Sequence, residues 1–267
     1  MSKIGVIHYN FPDFSFEQYL QYAADTGYGY LELQSKDVWG EGIDDPVANS
    51  EKVRKQVESY GLKVSALAAQ NDFVVLDPEV VTKQVARMKT VCECALVLGT
   101  NVIRTEGGSP KDAVPPERYV EAMSGCLKRC MEWAEDMDMR LAVDNHGLVT
   151  NDGDLQVELF RAVGSKHVGA NMDTMNYRWA GHSLEKLAHF YEIVAPYTFH
   201  THMKDGTGCR GEYRGAALGN GEIDLAFAVK CLKDAGYDGV YCSEYEGKAD
   251  PSPVGYAKCC EWLKANV

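Results

Sequence analysis

Leu141-Ala142-Val143-Asp144-Asn145-His146-Gly147 is a short apolar run that ends, without a break, in a carboxylate and an imidazole. A helical pattern near Leu155–Val163 follows, and then a second apolar run, Val168–Met172, which ends in Asp173-Thr174-Met175-Asn176. Strand, helix and strand in so little chain form the unit of a parallel sheet covered by helices. The unit repeats outward in both directions. Towards the N-terminus the apolar runs are Ile4–Ile7, Tyr30–Leu33, Val64–Leu67 and Asn101–Arg104, with helices predicted at about 15–26, 46–60, 78–98 and 115–137. Towards the C-terminus the runs are Phe199–Met203 and Gly239–Cys242, with helices predicted at about 183–194, 225–235 and 254–266. The punctuation agrees: Ser15 suits an N-cap, glycines at 27, 61, 99 and 236 follow helical stretches, and Pro115 or Pro116 suits a first turn.

Eight such pairs in 267 residues fit a closed (β/α)8 TIM barrel, an α/β fold occupying residues 1–267 as a single domain. An open dinucleotide-binding sheet is disfavoured, because His8-Tyr9-Asn10-Phe11-Pro12 after the first run lacks the glycine fingerprint. Apolar residues at 45% and charged residues at 25% exclude a disordered or disulfide-stapled chain. Lys plus Arg is 27 against 39 for Asp plus Glu, and the resulting charge of −12 repels phosphate backbones, so no nucleic-acid partner is expected. No apolar run reaches the length of a membrane span and the start lacks a signal-peptide core, so no membrane partner is expected either. Nine cysteines without a secretory signal imply reduced thiols, and the expected location is cytoplasmic.

In such a barrel the reacting groups sit at the C-terminal ends of the strands, and inward positions alternate with outward ones. Runs five to eight end in Asp144-Asn145-His146, Asp173, His200-Thr201-His202-Met203-Lys204-Asp205 and Glu244-Tyr245-Glu246. Period-two geometry predicts a shared face for Asp144 and His146, for His200, His202 and Lys204, and for Glu244 and Glu246. Carboxylates gathered at one barrel mouth repel each other unless a cation sits among them. Asp144, Asp173, His202 and Glu244 make a mixed oxygen and nitrogen set, suited to one divalent ion. Mn²⁺ is favoured, with Co²⁺, Fe²⁺, Zn²⁺ and Mg²⁺ as alternatives. His8, His167, His182 and His189 read individually as loop caps, rim salt bridges or satisfied buried polar groups, and Cys126 and Cys130 as small core residues on one helical face. Phe11, Trp39 and Trp179 follow strands and either stack on a sugar ring or pack.

These pieces, together with Gly219-Asn220-Gly221-Glu222-Ile223-Asp224, resemble the xylose isomerase-like TIM-barrel superfamily, the sugar-phosphate isomerase/epimerase and endonuclease IV type. The resemblance spans essentially the whole chain. In the ketose epimerase-like members one divalent ion is held by a carboxylate from strand five, an Asp from strand six, a His from strand seven and a Glu from strand eight. The matching positions are Asp144, Asp173, His202 and Glu244, and the resemblance implies that Asp144 and Glu244 also act as the acid/base pair. Here the chain departs from its relatives, which carry Glu where Asp144 stands. The shorter side chain pulls the ion over, binds through water or fails as the base, and His146 is then placed to take the proton-transfer role.

The chemistry expected is proton transfer next to a metal-bound carbonyl, by an isomerase or epimerase of a small keto-sugar or cyclic polyol ketone. The catalytic candidates are Asp144, His146 and Glu244. Substrate-binding candidates are Glu106, Asn176, Lys204, Arg214 and Glu246; Lys204 and Arg214 either bind polar substrate groups or pair with Asp205 or Glu212 at the rim. The alternative is a lyase of the same superfamily, a keto-polyol dehydratase or a 3-oxo-glycoside deglycosidase. An abasic-site endonuclease fits the acidic charge poorly. A homo-oligomer is expected by analogy, and a partner subunit of different sequence is compatible with the lyase alternative.

Overall fold

Alternation of apolar and polar side chains turns each short run into a strand with one face towards the helices and one towards the barrel axis. The structure, a computed structural model, describes residues 3–267. Its elements run β1 (Lys3–Ile7), α1 (Phe16–Thr26), β2 (Tyr30–Gln34), α2 (Ser35–Val38), α3 (Pro46–Ser59), β3 (Lys63–Ala68), α4 (Pro78–Leu98) and β4 (Val102–Thr105). They continue with α5 (Tyr119–Ala134), β5 (Arg140–Asp144), α6 (Gly153–Val163), β6 (Val168–Asp173), α7 (Asn176–Trp179), α8 (Leu184–Val194) and β7 (Thr198–Met203). The last are β8 (Asp205–Thr207), β9 (Arg214–Ala216), α9 (Leu225–Asp234), β10 (Val240–Ser243) and α10 (Ser252–Asn266).

Eight strands close the barrel in the order β1-β10-β7-β6-β5-β4-β3-β2, with every neighbouring pair parallel. Closure rests on β1, which pairs Lys3 to Val6 with Val240 to Ser243 on one side and Gly5 to Ile7 with Tyr30 to Glu32 on the other. The expected (β/α)8 barrel is the fold. Helix starts are set by side-chain caps: Ser15 forms a reciprocal capping box with Gln18, and Asp77, Asp152 and Asp224 accept the first free N–H groups of α4, α6 and α9. The apolar core lies between strands and helices and includes Leu31, Leu33, Leu67, Met88, Leu141, Phe190 and Tyr256, all essentially fully buried. Cys126 and Cys130 belong to it, and all nine cysteines are free thiols.

Three local differences have physical causes. The predicted helix at 115–137 starts late, because Pro116 keeps Pro115 extended, and its first turn at Pro116–Arg118 is 3-10 before the α-helix proper starts at Tyr119. The glycine-rich segment after β7 forms an antiparallel hairpin of β8 and β9, which strand–helix alternation does not predict. Asn145 and His146 leave β5, because the strand ends at Asp144 and the Thr150 hydroxyl donates to the Asp144 carbonyl at 2.7 Å and accepts from the His146 N–H at 3.2 Å. Among the described residues no helix is long and apolar enough to cross a membrane.

Candidate metal centre at the barrel mouth

Asp173 closes β6 and then does two jobs with its two oxygens. Oδ1 accepts the backbone N–H groups of Met175 and Asn176, both at 2.8 Å, which caps the short helix α7. Oδ2 is buried with no hydrogen-bond partner. Asn145 holds the strand end in place: it accepts from the Asp173 N–H at 2.8 Å and donates to the Asp173 carbonyl at 2.9 Å. From β7, His202 brings Nδ1 to 4.0 Å from that free oxygen and to 2.9 Å from Glu244 Oε2. Nδ1 makes no hydrogen bond of acceptable geometry, so it too is an orphaned buried atom. One donor atom from each of Asp173, His202 and Glu244 lies within 4.8 Å of the others. Two oxygens and one imidazole nitrogen, two of them unsatisfied and all aimed at one point, fit a divalent cation.

The groups around this triad are ordered by charge. Lys204 Nζ lies 3.1 Å from Glu244 Oε1, 2.9 Å from Glu246 Oε2, 3.8 Å from Asp173 Oδ2 and 3.3 Å from Asn176 Oδ1. Burial pulls the Lys204 amine down, but Glu244, Asp173 and Glu246 override it and hold the ammonium well above its usual range. Burial likewise pushes Glu244 up, and Lys204 and His202 more than reverse it, leaving the carboxyl well below its ordinary range. Asp173 is the exception. Its burial is only partly offset by Lys204 and is reinforced by Glu244 and Asp144, so its carboxyl is pushed up to about 7. A carboxyl so strained by its neighbours is the kind of group that a metal ion relieves.

The fourth expected ligand stands apart. Asp144 is fully buried on β5, and its Oδ2 accepts both Nε of Arg104 at 3.0 Å and the Arg104 Nη2 group in a short ion pair. Asn171 Nδ2 donates to its other oxygen at 2.6 Å. Burial raises its pKa, but Arg104, His202 and His146 outweigh burial, so the carboxyl stays below its usual range. His146 is half-exposed and keeps Nδ1 3.7 Å from Asp144 Oδ2, so the two remain neighbours although His146 is off the strand. Glu106 takes the remaining guanidinium nitrogen of Arg104 at 2.9 Å. Lys204, Asn176 and Glu246 therefore join the triad, Asp144, His146 and Glu106 form a second group around Arg104, and Arg214 lies out on β9.

Two residues the sequence reading missed complete the site. Glu32, fully buried on β2, contacts His202 Nε2 through Oε2 at 2.7 Å. Arg104 neutralises Asp144 as described. Glu32 lies inside the run Tyr30–Leu33 and Arg104 ends the run Asn101–Arg104, and those positions were the available signal. Glu32 also groups with His200 and Cys242 within 4.8 Å. There, however, the His200 nitrogens are committed: Nδ1 lies 2.8 Å from Asn171 Oδ1 and Nε2 lies 3.1 Å from Ser65 Oγ. Because Asn171 spends its amide N–H on Asp144, its oxygen faces His200, which fixes the proton on Nδ1. Burial pushes the His200 pKa down to about 4, so the ring is neutral.

The remaining aromatic and imidazole side chains named in the sequence make local contacts. Phe11 stacks on Tyr256 at 4.7 Å, and Trp39 and Trp179 lie under Arg87 and Arg210. His8 pairs with Asp37 at 2.9 Å, His189 with Asp154 at 3.0 Å, and His167 and His182 hydrogen-bond backbone carbonyls.

Residues 20–266 match the xylose isomerase-like TIM barrel family. The chain belongs to that family. It is 23% identical over 189 residues to an uncharacterized protein of Methanocaldococcus jannaschii, MJ1311, a match that covers 67% of this chain and 64% of that relative's length. Among solved structures, the IOLI protein with a bound zinc atom superposes with a TM-score of 0.83 at 18% identity, covering 99% of this chain and 98% of that one. D-psicose 3-epimerase with D-tagatose from Clostridium cellulolyticum H10 superposes with a TM-score of 0.78 at 14% identity, covering 99% of this chain and 98% of the other. At these identities the structural likeness speaks for the fold, and the chemistry has to be argued from the site.

Proposed function

We propose that the protein is a divalent-metal-dependent isomerase or epimerase of a small keto-sugar or cyclic polyol ketone. The observation that carries this reading is the convergence of Asp173 Oδ2, His202 Nδ1 and Glu244 at the mouth of the barrel, two of the three atoms being buried and unsatisfied. A divalent ion bound there supplies electrophilic polarisation of a substrate carbonyl. Mn²⁺ is the first ion to test, followed by Co²⁺, Fe²⁺, Zn²⁺ and Mg²⁺. The zinc of the IOLI protein and the ketose of the epimerase structure, whose names belong to those proteins, are consistent with this choice of chemistry.

The remaining work falls to the chain's own side chains. His146 is the solvent-facing base, and Asp144, ionised against Arg104, sits 3.7 Å from its Nδ1. Glu244 is the second proton-transfer group, with Lys204 holding its Oε1 at 3.1 Å. Lys204, Asn176, Glu246 and Glu106 bind substrate hydroxyls. Asp144 joins the ligand set only by giving up Arg104, and the metal content of Asp144→Ala decides whether it does.

The test is solvent exchange. The metal-loaded protein is incubated in D2O with ketoses, inososes and keto acids; deuterium entering a carbon next to the carbonyl, with product of otherwise unchanged mass, is expected. No exchange and no turnover at full metal occupancy contradict the reading. One observation favours a second reading. The Arg104–Asp144 pair takes the strand-five carboxylate out of any two-base mechanism, and elimination of a leaving group next to the abstracted proton needs a single base. A product lighter by water or by an aglycone assigns the protein as a lyase instead.

A further inference from the structure

A cavity of about 770 Å³ is lined by Tyr9, Tyr213, Arg214, Glu246 and Lys248. Its volume suits a small polar ligand. Glu246 ties it to the metal centre, because the Lys204 ammonium touches both Glu246 at 2.9 Å and Glu244 at 3.1 Å. The far wall is the β8–β9 hairpin, which bridges Gly215 to Gly247. A side chain at Gly215 would meet the Glu246 carbonyl carbon at 2.5 Å, so the hairpin can approach only as glycine.

The charges lining the cavity are not balanced. Arg214 and Lys248 are exposed to the cavity and neither makes an ion pair among the described residues. Every carboxylate near them in sequence except Glu212 is committed elsewhere. Asp205 accepts the backbone N–H groups of Gly206, Gly219, Gly221 and Ile223. Glu222 pairs with Arg178 at 2.6 Å, Glu246 with Lys204 at 2.9 Å and Asp250 with Lys258 at 2.7 Å. Glu212 lies next but one to Arg214 and does not reach it within ion-pair distance. In a chain of net charge −12, two unpaired cations lining one cavity that shares Glu246 with the metal centre form a local anion trap.

We propose that Arg214 and Lys248 bind an oxyanion group of the substrate, a carboxylate or a phosphate, so that the preferred substrate is an anionic polyhydroxy ketone rather than a neutral one. The inference rests on the proton-transfer reading above and specifies its substrate. Arg214 offers a planar fork matched to either oxyanion, and Lys248 adds a point charge. Tyr9 and Tyr213 flank the space as walls.

The test uses three ketoses that differ only at C6: D-fructose, D-fructuronate and D-fructose 6-phosphate. Each is titrated by calorimetry into Mn²⁺-loaded protein freed of excess metal, alongside the Arg214→Gln/Lys248→Gln variant. Both positions are exposed, and a thermal melt checks that the variant is folded. At least one anionic ketose is expected to bind about tenfold or more tightly than fructose, and the variant to lose that advantage. The advantage should also shrink as NaCl rises from roughly 0.05 to 0.5 M. Whichever anion wins names the oxyanion. Equal binding of all three, no binding of either anionic ketose, or an advantage that survives in the variant overturns the proposal. Deuterium exchange is read on the same samples. Exchange without anion preference sinks this proposal and spares the proton-transfer reading, and anion preference without exchange does the reverse.

Discussion

Glu32 decides which nitrogen of His202 faces the metal centre. Its Oε2 lies 2.7 Å from Nε2 and keeps a proton there, while Nδ1 faces Asp173 and Glu244. Glu32 and Glu244 override burial and hold the imidazole well above its usual range, so a metal ion binds by displacing the Nδ1 proton. Glu32→Gln should therefore weaken metal binding by about 10–100-fold while circular dichroism and melting show an intact barrel. Affinity is read by competition with a chromogenic chelator, and an unchanged value would return Glu32 to a purely structural role. His146 makes the opposite kind of prediction. His146→Ala should keep its metal and lose about 10²–10⁴-fold in turnover; a loss below about tenfold gives the base role back to Glu244 and Asp144. Asp173, His202 and Glu244 are legible in the sequence because each ends an apolar run, where a barrel places its chemistry. Glu32 is not, since its partner lies 170 residues away and no local pattern names a partner at that distance. Arg104 is hidden for the same reason, and with it the commitment of Asp144.

At the scale of single elements, the β4–β5 pairing carries a buried ion pair whose two halves depend on each other. Arg104 and Asp144 are 8% and 0% exposed, so removing the guanidinium leaves a carboxylate buried without its counter-ion. Arg104→Met should cost about 3–5 kcal/mol in urea unfolding, whereas Arg104→Met/Asp144→Leu should recover much of it. A single variant as stable as the parent would mean that water reaches Asp144. The β8–β9 hairpin depends on Asp205 in a different way. Four backbone N–H groups converge on that carboxylate, and a side chain at Gly221 would collide with its Oδ1. Asp205→Ala should speed amide exchange across residues 206–223 and leave the barrel strands protected. Uniform exchange across the whole chain would contradict a local role. Barrel strands and helices are legible because their periods differ, two against 3.6. The hairpin is not, because glycines at 206, 208, 211 and 215 leave no alternation to read.

On the scale of the whole molecule, barrel closure brings the ends of β6, β7 and β10 side by side, as their parallel pairing shows. Residues far apart in sequence thereby become one cation-seeking site, and the same closure lays the Glu32, His200 and Arg104 contacts across the barrel axis. The most direct measurement of the central claim is metal stoichiometry. Protein purified after exposure to Mn²⁺ or Zn²⁺, and passed over a desalting column, is analysed by plasma mass spectrometry beside Asp173→Ala and His202→Ala. The parent should hold about one divalent ion per chain and both variants far less, since each lacks one of few ligands in a preorganised site. Equal metal content in the parent and both folded variants would contradict the assignment of this site.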